Sequence, residues 1–366
     1  MYRVAAYSNV GLRKKTNQDS CCAEVAVTPY GDTAIIVVCD GVGGLSSGEY
    51  ASATVVHWLA DWFETSYATM LEELHDNAES LFDRVQTEWE NGFVTLNQVL
   101  RTYGRRHDTQ LGTTCSVMLF YAGRYCIAHV GDTRVYRFDR DVMEVLTEDQ
   151  TWVARELARG NITQEQARSH PRKNVILQSI GTQTELQPVY YRGQTNIGET
   201  YVVCCDGFRN ELFDDELIHA FEGVAKKDEQ AIYDACADLA DLVMSRNEHD
   251  NITAVGMSIT TDGEYNLAVT HETEAVLHPD EEDYVPVEAT TYLAEAPTDT
   301  SVPADVTTAM PVLELENEEP SDDPAEVESD ESSEDEPNTG DEMTTVLEPS
   351  EEATTILEDV GGDERG

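Results

Sequence analysis

Residues 34–44 read AIIVVCDGVGG, an apolar run that ends in an aspartate and several glycines. The first six residues are apolar and mostly β-branched, a composition typical of a buried strand. Asp40 follows them directly, so we expect its carboxylate to emerge at the end of that strand. The glycines after it would let other backbone or a ligand approach that carboxylate closely. The stretch therefore predicts a buried sheet with an acidic group at a strand end.

The same arrangement recurs along the chain. Three more predicted strands adjoin an aspartate beside Gly or Asn: Tyr125–Val130 before Gly131-Asp132, Tyr201–Cys205 before Asp206-Gly207, and Ile252–Ile259 after Asp250-Asn251. Asp19 follows Asn17-Gln18 early in the chain. Clustered carboxylates repel and are costly to bury unless a cation lies between them. Any one Asp-Gly is better explained as a turn, but the set predicts an all-oxygen site for Mg²⁺ or Mn²⁺.

Other segments extend the prediction to a mixed fold. Strands are predicted at Thr114–Tyr121 and Val135–Phe138, long helices over Gly48–Phe63 and Ser80–Thr102, and shorter helices over Asp149–Arg159 and Asp214–Glu222. The strands and helices do not strictly alternate, and this order favours packed sheets flanked by helices. The pattern alone leaves a two-layer and a four-layer core open.

Charge divides the chain into two parts. Its 366 residues carry 72 acidic and 23 basic side chains, a net charge of −49, which argues against nucleic acid or an anionic membrane as a partner. Residues 271–366 contain 32 acidic residues and one basic residue, and 321–336 read SDDPAEVESDESSEDE. Such a composition cannot bury enough apolar surface to fold. We predict a folded domain at 1–260 and a disordered acidic tail at 261–366, although 261–270 are also compatible with a last hairpin strand.

The chain lacks the signals of secretion and membrane insertion. No apolar run approaches the ~20 residues that a bilayer requires, and the first residues lack the plan of a signal peptide. Cys21–Cys22 and Cys204–Cys205 are adjacent pairs that suit an ordinary disulfide poorly, and no CxxC spacing indicates zinc. We therefore expect a cytoplasmic protein with buried, reduced thiols.

Eight short motifs follow one another along residues 1–260. They are Ser8-Asn9-Val10-Gly11 with Asn17-Gln18-Asp19-Ser20; Asp40-Gly41-Val42-Gly43-Gly44 with Gly48-Glu49 and Ala51-Ser52; Gly112-Thr113-Thr114; Gly131-Asp132-Thr133-Arg134; Leu146-Thr147 with Asp149; His170-Pro171 through Asn174-Val175 to Ile180-Gly181; Cys205-Asp206-Gly207-Phe208; and Asp250-Asn251-Ile252-Thr253. Their residues and order resemble the PPM family of metal-dependent serine/threonine phosphatases, also called protein phosphatase 2C.

The resemblance implies an α+β fold, a four-layer α-β-β-α sandwich of two mainly antiparallel sheets, with two Mn²⁺ or Mg²⁺ ions at one end. Asp40 would bridge both ions, the Gly41 carbonyl would bind one, Asp206 and Asp250 would bind the other, and Asp19 would be a ligand or the partner of a metal-bound water. Asp132 with Asp206 would hold a third ion. A bridging metal-bound hydroxide would attack phosphorus in phosphoserine or phosphothreonine, and residues 152–172 would form a mobile flap beside the site.

Three positions depart from the family pattern. Gln18 replaces a common glutamate, and an amide oxygen is the weaker metal ligand. Lys14 occupies the place of a phosphate-binding arginine; lysine acts on phosphate as a point charge, and Arg13 beside it is a second candidate. Val42 stands where some members carry a histidine that donates a proton, so water would have to protonate the leaving oxygen.

Four copies of an acid-x-Thr-Thr-x-Leu/Met motif occur in the tail, with candidate phosphosites at Thr290, Thr307, Thr344 and Thr354. A phosphothreonine followed three residues later by an aliphatic residue resembles ligands of forkhead-associated domains. We expect either such docking or chance pairs in a Thr-rich tail. Alternatively, the tail could return its own phosphothreonines to the catalytic site.

The residues and the resemblance together predict an enzyme that dephosphorylates phosphoproteins and opposes a serine/threonine kinase. The alternatives are an inactive phosphatase-like scaffold that presents the tail to partners, and a phosphatase acting on an anti-sigma-pathway protein or a small phosphate ester. Cys204 and Arg209 match the spacing of a tyrosine-phosphatase loop, but Asp206 between them would oppose a thiolate. We interpret His57 and His129 as packing residues, and His249 as a neighbour of the site.

Overall fold

The computed structural model describes residues 1–43 and 47–261. In this range the strands are β1 (Tyr2–Asn9), β2 (Asp19–Thr28), β3 (Gly31–Gly43), β4 (Leu111–Thr113), β5 (Cys115–Tyr121), β6 (Arg124–Val130), β7 (Arg134–Asp139), β8 (Val142–Val145), β9 (Val189–Gln194), β10 (Thr200–Cys204) and β11 (Ile252–Ile259). The α-helices are α1 (Gly48–Trp62), α2 (Ala68–Leu74), α3 (Ala78–Arg106), α4 (Trp152–Ala158), α5 (Gln164–Arg168), α6 (Asp206–Arg209), α7 (Asp214–Phe221) and α8 (Glu229–Ser245). A π-helical turn over Phe63–Tyr67 joins α1 to α2, and a 3₁₀ turn spans Val224–Lys226.

Two antiparallel sheets form the centre of the fold. One sheet has the order β1-β11-β10-β7-β8, and the other has the order β2-β3-β5-β6-β9, with β4 paired to the last residues of β3. Every strand pair is antiparallel. The predicted sandwich of two mainly antiparallel sheets flanked by helices is confirmed.

The apolar run in β3 has a structural reason. Ile36 and Val38 pack into the core between the two sheets, whereas Ile35, Val37 and Cys39 pack against α1 and α3 on the other face. Successive side chains of a strand point to opposite faces, and here both faces are covered. The strand is therefore continuously apolar, which is the pattern of a buried central strand.

Helices cover the outer face of each sheet. A Cβ added to Gly92 of α3 would lie 2.1 Å from the Trp58 ring of α1, so these two helices pack closely only because position 92 has no side chain. On the opposite side, Ile232 of α8 lies against Gly256 of β11, where an added Cβ would come within 2.3 Å. The helical layers thus fix the positions of β3 and β11, which carry or adjoin the candidate acids.

Several predicted boundaries are corrected by the structure. Asp40 does not follow the end of its strand, because β3 continues to Gly43 and pairs there with β4. The helix predicted from Asp149 begins only at Trp152, where the Thr151 side chain accepts a hydrogen bond from the Ala154 amide. The helix predicted over 80–102 is longer and spans α3.

Some sequence predictions fall outside the described residues. These are the disordered tail and the alternative hairpin strand at 261–270, both beyond residue 261 except for that first residue, and the candidate phosphosites Thr290, Thr307, Thr344 and Thr354. Across 1–43 and 47–261, no helix is long and apolar enough to cross a membrane. All eight cysteines are buried and free, as predicted.

Candidate active site

Asp19 and Asp40 face each other at one end of the sheet that contains β2 and β3. They are direct partners in the antiparallel register of β2 and β3. Asp19 is only 2% exposed, and neither of its carboxylate oxygens has a hydrogen-bond partner of normal geometry within the described ranges. Burial raises the pKa of Asp19 to about 7, with Asp250 and Asp206 adding to the rise and the nearby Thr253 and Cys205 opposing it. A buried carboxylate without a partner calls for a cation.

The backbone of Asp40 is held from both sides. Its amide donates to the Thr114 hydroxyl at 3.0 Å, and its carbonyl accepts from the Thr114 amide at 2.9 Å and from the Thr113 hydroxyl at 2.9 Å. The Gly112-Thr113-Thr114 motif therefore has a structural task, which is to fix the candidate bridging aspartate.

Gly41 lies in a confined space at the start of α1. A Cβ on this residue would lie 2.3 Å from the Gly48 carbonyl oxygen and 2.4 Å from the Gln18 carbonyl oxygen. The Gln18 side chain donates to the Glu49 carboxylate at 3.3 Å, so it points to the first turn of α1. Only glycine fits at position 41, and its carbonyl lies beside the N-terminal end of α1.

Asp206 and Asp250 adjoin β10 and β11 of the other sheet and lie at the same end of the sandwich. Asp206 begins α6 directly after β10, and Asp250 precedes β11. A Cβ on Gly207 would lie 2.1 Å from the Asn251 carbonyl oxygen and 3.2 Å from the Asp250 Cβ. The missing side chain at Gly207 thus lets the two aspartates approach each other.

Asn251 joins this part of the site to the first residues of the chain. Its amide group donates to the Val10 carbonyl at 2.9 Å and the Thr16 carbonyl at 3.1 Å, and its side-chain oxygen accepts from the Gln18 amide at 2.9 Å. In the sequence, Asn251 is recognisable only as part of the Asp250-Asn251-Ile252-Thr253 motif. In the structure it positions the loop that carries Lys14 and leads to Asp19.

The five candidate carboxylates act on one another electrostatically. Burial raises the pKa of Asp40 well above its usual value, and Asp19, Asp206, Asp132 and Asp250 each add to the rise. Burial also raises the pKa of Asp132 to about 7, with Asp206 as the next cause. Because these effects weaken with distance, the structure brings all five predicted acids into one group.

The group is not a preformed set of ligands. In the part of the chain that the structure describes, no three His, Cys, Asp or Glu side chains come close enough to hold a metal ion as they stand. Asp250 instead forms an ion pair with Lys14, with 2.7 Å between Oδ1 and Nζ, and Asp206 accepts from the Asn210 side chain at 3.1 Å. Yet the unpartnered oxygens of Asp19 and one unpartnered oxygen of Asp132 are buried, and all donors are oxygens. These residues fit a hard divalent cation.

The two predicted phosphate-binding residues differ in position. Asp250, Asp40 and Asp19 hold the pKa of Lys14 above its usual value although partial burial opposes this, so its ammonium lies at the acidic group. Arg13 is exposed and contacts the Asn247 side-chain oxygen at 3.5 Å. The structure therefore places Lys14, not Arg13, at the candidate site.

The predicted flap contains α4 and α5 and is attached beside Asp132. The Gln150 amide donates to the Gly131 carbonyl at 2.7 Å, and the Gln150 side chain accepts from the Gly131 amide at 2.8 Å. Trp152 stacks on His170 with ring centroids 4.5 Å apart, which joins the two ends of the segment. The base of the flap is thus fixed to the loop that carries Asp132.

The histidines and cysteines have structural surroundings. His129 is buried and bonds the Ser116 hydroxyl at 2.8 Å and the Glu148 carbonyl at 3.1 Å, as expected of a core histidine. His249 is exposed, and it is the neighbouring Glu248 that accepts from the Asp250 amide at 3.0 Å. Burial raises the pKa of Cys204 to about 12 in spite of Arg209, so this thiol is not a nucleophile at neutral pH.

Arg209 lies at the site although no sequence motif indicates a functional role for it. Its guanidinium reaches the Asp132 loop and also bonds Asp149, which in turn pairs with Arg134. The lone signal was a base close after Asp206, which matched an unrelated phosphatase spacing. Its contacts join segments far apart in sequence, so no local pattern could reveal them.

The comparisons with known proteins agree with this geometry. The family model of protein phosphatase 2C matches residues 12–243. A serine/threonine phosphatase named stp from Listeria innocua is 31% identical over 184 residues, 50% of this chain and 69% of that protein. A putative protein phosphatase 2C-type from Streptococcus pyogenes is 27% identical over 69% of this chain and 95% of its own length. The solved structure of the S. agalactiae serine/threonine phosphatase is 27% identical, has a TM-score of 0.61 and is matched over its whole length by 71% of this chain. The chain therefore belongs to the protein phosphatase 2C family, in the branch of the bacterial serine/threonine phosphatases.

Proposed function

We propose that this protein hydrolyses phosphoserine and phosphothreonine in proteins in a metal-dependent reaction and so reverses a serine/threonine kinase. The observation that carries the proposal is the group of five aspartates from both sheets, with three buried carboxylate oxygens that lack a partner within the described residues. Such a group is unfavourable in a metal-free scaffold and fits a site for cations.

The residues that would hold two Mn²⁺ or Mg²⁺ ions are Asp19, Asp40, the Gly41 carbonyl, Asp206 and Asp250. Asp132 with Asp206 would hold a third ion. When bound, the ions would supply Lewis acidity and lower the pKa of a coordinated water. The protein's own part is to fix these donors, which it does through Thr113 and Thr114 at Asp40 and through the close approach at Gly207.

Lys14 supplies the basic group for the substrate. Its ammonium lies at the acidic group, where it can attract a phosphate oxygen and offset its charge. Because lysine is a point charge, it attracts the phosphate without the two-pronged geometry of arginine. Val42 is partly buried in the β3–β4 pair, and its side chain has no acidic proton to donate. We therefore assign protonation of the leaving oxygen to water.

The test is phosphatase activity toward p-nitrophenyl phosphate and a phosphothreonine peptide, with added Mn²⁺ and with EDTA. We expect activity that EDTA abolishes and that Asp40→Asn reduces at least about 100-fold. Asp139→Asn, at an exposed end of β7, is the matched control and keeps full activity. Activity that persists after chelation refutes the metal mechanism, and inactivity with every divalent cation favours the scaffold. Hydrolysis of the small ester without the peptide favours a small phosphate ester as the substrate.

For the tail we propose phosphorylation at Thr290, Thr307, Thr344 and Thr354 followed by docking of a forkhead-associated domain. The support is the repeated motif, since several copies on one chain raise avidity. The test is a pull-down in which an immobilised forkhead-associated domain captures the full chain after treatment with a threonine kinase. The control is the chain with Thr→Val changes at the four positions. Equal capture of both forms refutes the proposal.

A further inference from the structure

Arg209 lies in α6, three residues after Asp206, and its side chain is only 9% exposed. Its Nη2 donates to the Asp132 carbonyl at 2.9 Å and to the Asp149 carboxylate at 3.0 Å, and Nη1 donates to the Asn210 side chain at 3.1 Å. Its Nε is buried and has no partner among the residues the structure describes. Arg209 thus joins the Asp132 loop to Asp149, which precedes the flap.

Two arginines share one carboxylate at this place. Arg134 also binds Asp149, with Nε 2.9 Å from Oδ1 and Nη2 2.5 Å from Oδ2. Two guanidinium groups share this one carboxylate, so the three groups together carry a net charge of +1 that faces the acids of the site. That charge lies beside Asp132, which is 3% exposed and has one carboxylate oxygen without a partner in the described part of the chain.

We propose that Arg209 is a positioning residue that fixes the Asp132 loop to the base of the flap, and that its buried charge weakens the affinity of Asp132 and Asp206 for a third divalent cation. The proposal rests on the metal site described under the proposed function.

Electrostatics sets the expected size of the effect. A buried unit charge within several ångströms of a divalent cation opposes its binding strongly, because the effective dielectric constant of a buried site is far below that of water. The charge lies next to the site, because Nη2 of Arg209 donates to the backbone carbonyl of Asp132 itself. Removing it should strengthen binding of the third ion by at least about tenfold.

The experiment is a Mn²⁺ titration of the full chain, in which free Mn²⁺ is followed by electron paramagnetic resonance. We expect Arg209→Gln to strengthen the weakest of the sites at least about tenfold. Arg209→Lys keeps the charge and should leave this affinity within about twofold. Arg192→Gln is the matched control, because Arg192 also bonds carboxylates and a backbone carbonyl, those of Glu79, Asp83 and Phe82. We expect it to leave Mn²⁺ binding unchanged.

The double variant Arg209→Gln/Asp132→Asn locates the gained affinity. Loss of the gain supports the proposal, and a gain that persists without the Asp132 carboxylate overturns it. A purely structural role for Arg209 predicts unchanged or weaker binding in Arg209→Gln, and that result also overturns it. Hydrogen exchange tests the positioning: in Arg209→Lys the amides of 131–133 and 149–152 should exchange faster, and unchanged exchange refutes this part.

Failure of this inference can be told apart from failure of the proposed function. Wild-type protein that binds no Mn²⁺ at all contradicts the metal site itself and the inference with it. Wild-type protein that binds two ions and hydrolyses the phosphopeptide, with no gain in Arg209→Gln, contradicts only the role of Arg209. Thermal unfolding of each variant checks that it is folded, and Arg209→Met replaces Arg209→Gln where the amide variant does not fold.

Discussion

Asp19 and Asp40 lie directly opposite each other in the β2–β3 pair, so the backbone register itself sets two acids side by side. Like charges placed opposite each other across two strands are destabilising. The protein keeps this arrangement at a position where Asp19 is almost fully buried. The metal-free fold therefore carries an electrostatic cost that a bound cation would remove.

Replacement of Asp19 by asparagine should separate stability from ion binding. Without divalent cations at pH 8, the free energy of unfolding of Asp19→Asn should be about 2 kcal/mol higher than that of wild type. The variant is then the more stable protein, because a buried charge is removed. With Mn²⁺ wild type should be the more stable protein, because the variant lacks one carboxylate ligand and the bound ion stabilises it less. Urea unfolding with EDTA and with Mn²⁺ measures both values. A metal-free variant less stable than wild type would contradict this account.

Lys14 should act on substrate binding more than on turnover. Lys14→Ala should raise KM for a phosphothreonine peptide roughly tenfold, because one charge-assisted contact is lost. Lys14→Arg should bring KM to or below the wild-type value, since guanidinium binds phosphate with two prongs. Arg13→Ala is the control and should change KM less than twofold, because Arg13 lies away from the acids. Equal effects of the two alanine variants would exclude a special role for Lys14.

The confined space at Gly41 predicts a large cost for any side chain. Gly41→Ala should lower the free energy of unfolding by at least about 2 kcal/mol, because its Cβ would overlap the carbonyl oxygens of Gly48 and Gln18. Gly123→Ala is the control: Gly123 has a φ of +71° with nothing within 4 Å of an added Cβ. It should cost only about 1–2 kcal/mol, from the left-handed backbone. Urea unfolding compares the two variants. Similar losses of stability would mean that the backbone around Gly41 can move to admit a Cβ, and would contradict the prediction.

Glu24 predicts a pH dependence of stability. It is 3% exposed on β2, burial raises its pKa to about 7, and Glu64 and Asp61 add to the rise while the Cys22 thiol opposes it. The folded state then holds a proton that the unfolded state releases near pH 4.3. The contribution of Glu24 to stability is therefore fully present below about pH 4.3 and is lost as the pH rises to about 7, by up to about 3 kcal/mol.

Glu24→Gln should remove this dependence. The difference in unfolding free energy between variant and wild type should grow from pH 5 to pH 8 in favour of the variant. Glu73→Gln, at an exposed position of α2, is the matched control and should follow the wild-type curve. A variant curve parallel to wild type would show that Glu24 does not titrate in this range.

Strands and helices with a regular apolar spacing could be predicted from the sequence. Strands such as β3 and β11 are apolar because both of their faces are covered, and α1 and α3 show helical spacing. The apolar pattern does not predict β2, because a buried acid, Glu24, lies on the same face of the strand as Cys22. α8 carried a usable signal, since Ile232, Cys236, Leu239 and Val243 lie at helical spacing and are buried.

The site could be predicted as a set of residues but not as a geometry. The five aspartates were recognisable because each adjoins a strand and matches a family motif. The ion pair of Lys14 with Asp250 and the contact of Arg209 with Asp132 join residues far apart in sequence. Such contacts depend on how the two sheets pack, and no local pattern records that packing.

The eight buried thiols have a consequence for how the molecule meets oxidants. Every cysteine is buried, and burial raises the pKa of Cys204, Cys205 and Cys236 above the usual value. Peroxide and alkylating reagents attack exposed thiolates. The sulfurs will therefore react only when strands or helices transiently separate. The labelling rate of each cysteine then measures how often its own region of the fold opens.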